Sequence, residues 1–244
     1  MRWINRDPIE EDGGENVYSP CGNDMVERSD ALGLKWVITR NPNRRWAVAR
    51  RTSQKDTVEE LSRILKLDAS ESSLWLRGSK TRKCKFFVPN VVCVYTSKSQ
   101  IFDGVVTFVT HLKRKALSES KDLIADGYKV IVHKFARSNA TFRSMWKEKG
   151  VYGIIFAGHG SVYGFVADSS SGTAIGPHHV LPPYRLALLH AYSCYGSADI
   201  PDDIILPDGT IPMHRWRDHV SSKGEFYGYK DKVNWLSAAE QLEN

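Results

Sequence analysis

The sequence predicts an α/β fold with a mainly parallel sheet flanked by helices, and three observations predict it. Two apolar runs, Tyr152 to Gly160 and Leu186 to Cys194, are short, continuous and bounded by Gly and Pro, which suits strands covered on both faces. Ahead of them, apolar runs alternate with helical faces, a pattern that calls for right-handed crossovers and parallel pairing. The 41% apolar content and seven Trp among 244 residues supply one sizeable core. No run approaches the ~18 apolar residues that a membrane span needs, and the polar, acidic residues 1–30 give no secretory signal.

The formal charge of +6 is uneven. Arg40, Arg44, Arg45, Arg50 and Arg51 form one cluster, and Lys80, Arg82, Lys83 and Lys85 another. Both read as solvated linker faces, so no nucleic-acid partner is expected. Cys21, Cys84, Cys93 and Cys194 lack CxxC or zinc-like spacing, which leaves free thiols and makes a nucleophilic one possible.

Residues 1–34 are rich in Asp, Glu, Gly and Asn and show no sustained period, so they do not read as a self-sufficient domain. Their runs Arg2-Trp3-Ile4-Asn5-Arg6-Asp7-Pro8-Ile9, Gly13-Gly14-Glu15-Asn16-Val17-Tyr18, Gly22-Asn23-Asp24 and Asp30-Ala31-Leu32-Gly33-Leu34 resemble the last stretch of an Rhs/YD-repeat core. That resemblance implies a shell remnant followed by a C-terminal toxin domain, with release after Leu34 by the shell's aspartyl protease activity. Ala31 stands where the family usually has Pro. The abrupt entry into the motif points to a cut inside a longer shell protein, not to Met1 as a native start.

Residues 35–45, with Asn41-Pro42-Asn43, read as a linker or turn. Residues 46–80 then read as a small α+β unit. Trp46 to Ala49 is a strand, and Asp56-Thr57 caps a helix whose face is Val58, Leu61, Ile64 and Leu65. A turn at Leu67-Asp68 leads to a second helix through Leu74, Trp75 and Leu76. The Asp-Thr after the first strand resembles a LysM module, which implies a possible glycan partner; a spacer packed on the next domain is the alternative.

Residues 84–244 carry the alternating pattern. Val91 to Tyr95 is a strand; Asp103 caps a helix with Val105, Phe108, Val109, Leu112 and Ala116 on one face, and Gly127 ends it. Tyr128 to His133 is the second strand, and Ser138 or Asn139 caps a short helix with Phe142, Met145 and Trp146 inward, closed by Gly150. The two opening runs are the third and fourth strands. Phe226 to Tyr229 and a helix from Asn234 through Trp235, Leu236, Ala239 and Leu242 complete the chain.

If the third and fourth strands are parallel neighbours, His159 and Cys194 end on one sheet edge, where open α/β folds put their sites. A thiol is a useful nucleophile only as thiolate, and a neighbouring imidazole can take its proton. The backbone N–H groups of Gly160 and Cys194 are placed to form an oxyanion hole.

An apolar strand ending in His-Gly, followed by an apolar strand ending in a small residue and Cys, resembles the caspase-like (clan CD) cysteine peptidases, among them caspases, gingipains, separases and CHAT domains. The resemblance covers roughly residues 88–244 in element order. It implies His159 as general acid/base, Cys194 as nucleophile and Ser193 as the small residue, with no cofactor and no metal. Tyr229 to Trp235 would border the specificity pocket. The acidic stretch Asp199, Asp202, Asp203 and Asp208 would lie near the pocket for the residue before the scissile bond, favouring Arg or Lys there.

Together the two resemblances imply a cysteine endopeptidase effector of an Rhs-type polymorphic toxin. It would be made in a bacterial cytoplasm, delivered without a Sec signal, and act on a protein substrate in a target cell. Its partners would be a cognate immunity protein and the Rhs shell or secretion apparatus. Two alternatives stay open. Asp168, His178, His179, His190 and His214 suggest a metal-dependent nuclease, although no HxxxH or HExxH spacing exists and adjacent His on an extended chain point to opposite sides. The other is a caspase-like interaction module without catalysis.

Overall fold

The computed structural model describes residues 36–51, 57–78, 85–98, 106–161, 163–167, 173–194, 196 and 215–229, with side chains of the long helix from residue 111 onward. The Rhs-like stretch 1–34, the cap position Asp103 and the expected helix from Asn234 lie outside these residues.

The first elements build a small antiparallel sheet. β1 (Val37–Thr39) lies inside the stretch that reads as a linker, and it pairs with β2 (Trp46–Arg50) across a turn in which Arg44 N–H donates to the Asn41 carbonyl. Thr57 caps α1 (Val58–Leu65), its hydroxyl accepting from the Glu60 N–H at 3.2 Å. Leu61 and Leu65 face inward with Leu67 and with Trp75 of α2 (Ser72–Trp75). β3 (Arg77–Gly78) and β4 (Lys85–Pro89) finish the sheet in the order β1-β2-β4-β3. β4 falls past residue 80, so the sheet of the small unit draws a strand from the stretch assigned to the following domain.

Only Asn90 separates β4 from β5 (Val91–Ser97). Its buried amide nitrogen donates to the carbonyls of Asn41, Arg44 and Gly127, while its side-chain oxygen accepts from Arg40. Asn41 and Arg44 lie in the β1–β2 turn, Gly127 precedes β6, and the Asn90 N–H donates to Gly150 ahead of β7, so the small unit covers the N-terminal edge of the main sheet. Buried amides satisfied this fully hold two units in one geometry.

From Asn90 onward the chain is α/β. β5 leads to α3 (Val106–Ala125), which ends at Gly127 with φ +82°, then to β6 (Lys129–Ala136) and to α4 (Asn139–Met145), capped by Ser138. β7 (Val151–Ala157) follows Gly150, whose φ is +74°. A hairpin of β8 (His159–Ser161) and β9 (Gly164–Val166) comes next, then a 3₁₀ turn at Pro177–His179, β10 (Leu186–Tyr192), a 3₁₀ turn at Trp216–His219, and β11 (Val220–Gly228). The hairpin lies between the predicted third and fourth strands, and β11 begins six residues earlier than the Phe226 run suggests.

The main sheet has five parallel strands in the order β11-β10-β7-β5-β6. In order of appearance this is 2-1-3-4-5, a doubly wound topology that reverses direction between β5 and β7. α3 covers one face, contacting β5, β6, β7 and β10. α4 covers the other through a layer of rings: Phe142 meets Tyr95, Phe156 and Phe165, and Phe165 stacks on Trp216 with centroids 4.1 Å apart. No described helix is long and apolar enough to cross a membrane.

Candidate functional site

The register of β7 and β10 decides what meets at the C-terminal edge. Ala157 pairs with Tyr192, the last of five consecutive rungs. His159 and Cys194 each lie two residues beyond that rung. In parallel strands aligned residues share a face, so Ala157 and Tyr192 lie on the side covered by α3, where Tyr192 meets Glu119 and Lys113 neighbours His159. Gly158 N–H still donates to the Tyr192 carbonyl at 3.2 Å, which keeps the two strand ends together past the last rung.

Beyond Tyr192 the chain tightens. Ser193 N–H donates back to the Ala191 carbonyl and Gly196 N–H to that of Ser193. This turn brings Cys194 against Gly160, where a β-carbon would overlap the Cys194 carbonyl oxygen and stand 3.0 Å from Ser193 Oγ. Only glycine allows that approach. Phe165, opposite Gly160 in the hairpin, gives its own N–H and C=O to Ile175 at 3.0 and 2.8 Å. Gly160 is therefore a non-hydrogen-bonded position, and its N–H points away from β9. Among the described residues no acceptor takes the Cys194 N–H.

His159 is half-buried, and its imidazole is held below the ordinary histidine value, first by burial and then by the neighbouring Lys113 ammonium. It is neutral near pH 7 and able to accept a proton. Cys194 is a free, partly exposed thiol. Tyr229 stands beside it: burial, the Tyr227 hydroxyl and the Cys194 sulfur all push the Tyr229 phenol up. Cys93 is the contrasting thiol, buried inside β5 and pushed up to about 12 by that burial.

Of the residues singled out in the sequence, the structure brings His159, Gly160, Ser193, Cys194 and Tyr229 to one edge. Asp199, Asp202, Asp203, Asp208 and Trp235 lie outside the described residues. Ser193 is fully buried, and its hydroxyl makes no hydrogen bond, so it supports the turn from below and is not open to a substrate.

The histidine set behind the metal alternative does not come together. His178 and His179 occupy the 3₁₀ turn, not an extended segment, and their rings lie 3.9 Å apart, which corrects the expectation that they point to opposite sides. His179 Nδ1 accepts from Gly176 N–H. His190 sits in β10, with Nδ1 2.5 Å from Glu119 Oε1. Asp168 and His214 lie outside the described residues. Among the described residues no three His, Cys, Asp or Glu side chains converge to hold a metal ion.

Glu119, Lys113 and Glu225 carry no sequence signal of their own. Glu119 on α3 accepts from the Tyr192 hydroxyl at 2.8 Å and lies beside His190 Nδ1, and His190 Nε2 lies 3.9 Å from Glu225. His190 and Tyr192 follow the period of two along the α3 face of β10, so this network lies at the end of the strand that leads into the turn carrying Cys194. Only the i, i+2 spacing on a strand packed beneath a helix could have suggested it.

No family model, no curated protein and no solved structure matches this chain.

Proposed function

We propose that the chain is a caspase-like cysteine endopeptidase that acts as the effector portion of an Rhs-type toxin. The observation that carries this reading is the placement of His159 and Cys194 each two residues beyond the Ala157–Tyr192 rung, with Gly160, next to His159, packed against Cys194. Near pH 7 the neutral His159 accepts the thiol proton, and the Cys194 sulfur attacks the scissile carbonyl. The N–H groups of Gly160 and Cys194 stabilise the tetrahedral oxyanion. His159 returns the proton to the leaving amine, and water, deprotonated by His159, hydrolyses the acyl-enzyme. Tyr229 borders the thiol, and the Glu119–His190–Tyr192 network fixes the strand that presents it. The substrate is a target-cell protein, and a cognate immunity protein would protect the producing cell.

The test combines toxicity in a heterologous bacterium with cleavage of a fluorogenic peptide panel varied at the residue before the scissile bond. Cys194→Ala and His159→Ala are expected to abolish both while leaving the circular dichroism spectrum unchanged. Full toxicity in folded Cys194→Ala would reject the thiol mechanism. Preference for Arg or Lys would support a role for the acidic stretch from Asp199 to Asp208, and preference for Asp would remove it.

A further inference from the structure

A basic cleft of about 700 Å³ opens at the same end of the sheet, on the other side of β5 from β7. Five cations line it: Lys98 just after β5, Lys113 and Arg114 from α3, Lys134 near the end of β6, and Arg137 just beyond it. No described residue that lines it is acidic. Lys98, Arg114, Lys134 and Arg137 enter none of the ion pairs among the described residues. Cations gathered from three elements repel one another, and the arrangement is relieved by an anion of matching charge.

A second observation points into the same cleft. Phe135 adopts φ +55°, a conformation that a bulky side chain rarely takes. It sits where the β5–β6 register slips, with Thr96 paired to Lys134 and Ser97 to Ala136, and its N–H donates to Thr96 Oγ1 at 2.9 Å. A bulge of this kind re-aims a side chain. Here it leaves the ring 53% exposed on the cleft wall, with the Lys113 and Lys134 ammonium groups 5.3 and 5.2 Å from its centre. Neither burial nor the strand ladder calls for an aromatic ring held in this way, whereas ligand contact would.

We propose that this cleft is a binding site for a small oligophosphate, its phosphate groups held by Lys98, Lys113, Arg114, Lys134 and Arg137. The volume is that of a small-molecule site. Two guanidinium forks and three ammonium groups suit several phosphate oxygens better than a single carboxylate. The cations also converge instead of running as a stripe, which sets the cleft apart from a track for a nucleic-acid backbone. The phosphate chain can belong to an inorganic oligophosphate or to a nucleoside triphosphate, and Phe135 offers a stacking face for the base of the latter. Lys113 joins the cleft to His159, so a bound anion offsets the ammonium charge that His159 feels. The site itself stands whether or not Cys194 is a nucleophile.

The experiment is calorimetric titration of the full chain carrying Cys194→Ala with tripolyphosphate, with ATP and with sulfate. Both phosphates are expected to bind saturably with one-to-one stoichiometry, while sulfate stays at least about a hundredfold weaker. Lys134→Gln combined with Arg137→Gln, or Lys98→Gln with Arg114→Gln should the first pair fail to fold, is expected to weaken binding by at least about tenfold with the melting temperature retained. Phe135→Ala that weakens ATP alone assigns the nucleotide as ligand; equal effects on both phosphates assign the inorganic chain. Absence of saturable binding to about 1 mM overturns the proposal. So do affinity indifferent to both double variants and affinity for single-stranded oligonucleotides that surpasses tripolyphosphate and climbs with length. Because Cys194 is absent throughout, these outcomes are independent of whether the chain is a peptidase.

Discussion

The Gly160 backbone packs against the Cys194 carbonyl so closely that a β-carbon has no room between them. This contact joins the β8–β9 hairpin to the turn after β10 and sets the spacing of the two N–H groups assigned to the oxyanion. The obstacle is backbone, so relief requires one of the two segments to move.

Gly160→Ala is therefore expected to cost about 1–3 kcal/mol in chemical denaturation and to lower the turnover number of peptide cleavage by about a hundredfold without a matching change in KM. A mutant that keeps wild-type turnover would show that the Gly160–Cys194 spacing is not part of the catalytic geometry.

Thiol labelling separates the two described cysteines. With its thiol pushed up to about 12, Cys93 has only about one part in 10⁴ thiolate at pH 8, and it is buried as well. Brief iodoacetamide treatment of native protein, read by peptide mass spectrometry, should modify Cys194 and spare Cys93 until denaturant is added. Loss of peptidase activity should follow the Cys194 adduct alone. Activity that survives full modification of Cys194 would defeat the proposed nucleophile.

Much of this architecture is legible locally. Thr57 and Ser138 announce their helices because a cap is chosen by the few residues after it, and Gly127 and Gly150 mark chain reversals because positive φ favours glycine. The apolar runs at 91, 151 and 186 are buried strands, bounded and too short for a helix, while the run at 129 is the half-exposed edge strand β6. What escapes is non-local. β1 is a strand because β2 lies beside it, and β4 joins the small sheet although its neighbour in sequence, β5, joins the large one. Glu119 reaches His190 across 71 positions, and the basic cleft gathers side chains from two strand ends and a helix. No periodicity in one segment encodes such meetings. The edge shared by His159 and Cys194 is the exception, because both residues end apolar strands that the topology makes neighbours.

Stability should fall on mild acidification. His159, His179 and His219 are all held below the ordinary histidine value of 6.5, chiefly by burial. The unfolded chain therefore binds protons at a higher pH than the folded one. The stabilisation is fully present above about pH 6.5 and is lost as pH falls below it through the depressed folded values, with each group adding at most ~1.4 kcal/mol per pH unit. Thermal unfolding from pH 8 to pH 5 should show this slope, and it should be shallower in His219→Gln. The same slope in wild type and variant would remove His219 from the account.

The aromatic layer on the α4 face should prove the strongest mechanical support of the site. Trp216 is buried between Phe165, stacked at 4.1 Å, and Trp146 at 5.3 Å. Phe165 is the residue opposite Gly160 in the hairpin. Loss of the indole leaves a cavity beneath that hairpin, and Trp216→Ala should cost about 3–5 kcal/mol. Because the hairpin carries His159 and Gly160, peptide cleavage in the surviving folded fraction should fall further than the folded fraction alone explains. Trp216→Phe keeps a ring on Phe165 and should recover most of the activity and part of the stability. The comparison needs denaturation curves and active-site titration on both variants. If activity per folded molecule is the same in Trp216→Ala and wild type, the aromatic layer sustains the fold without positioning the hairpin.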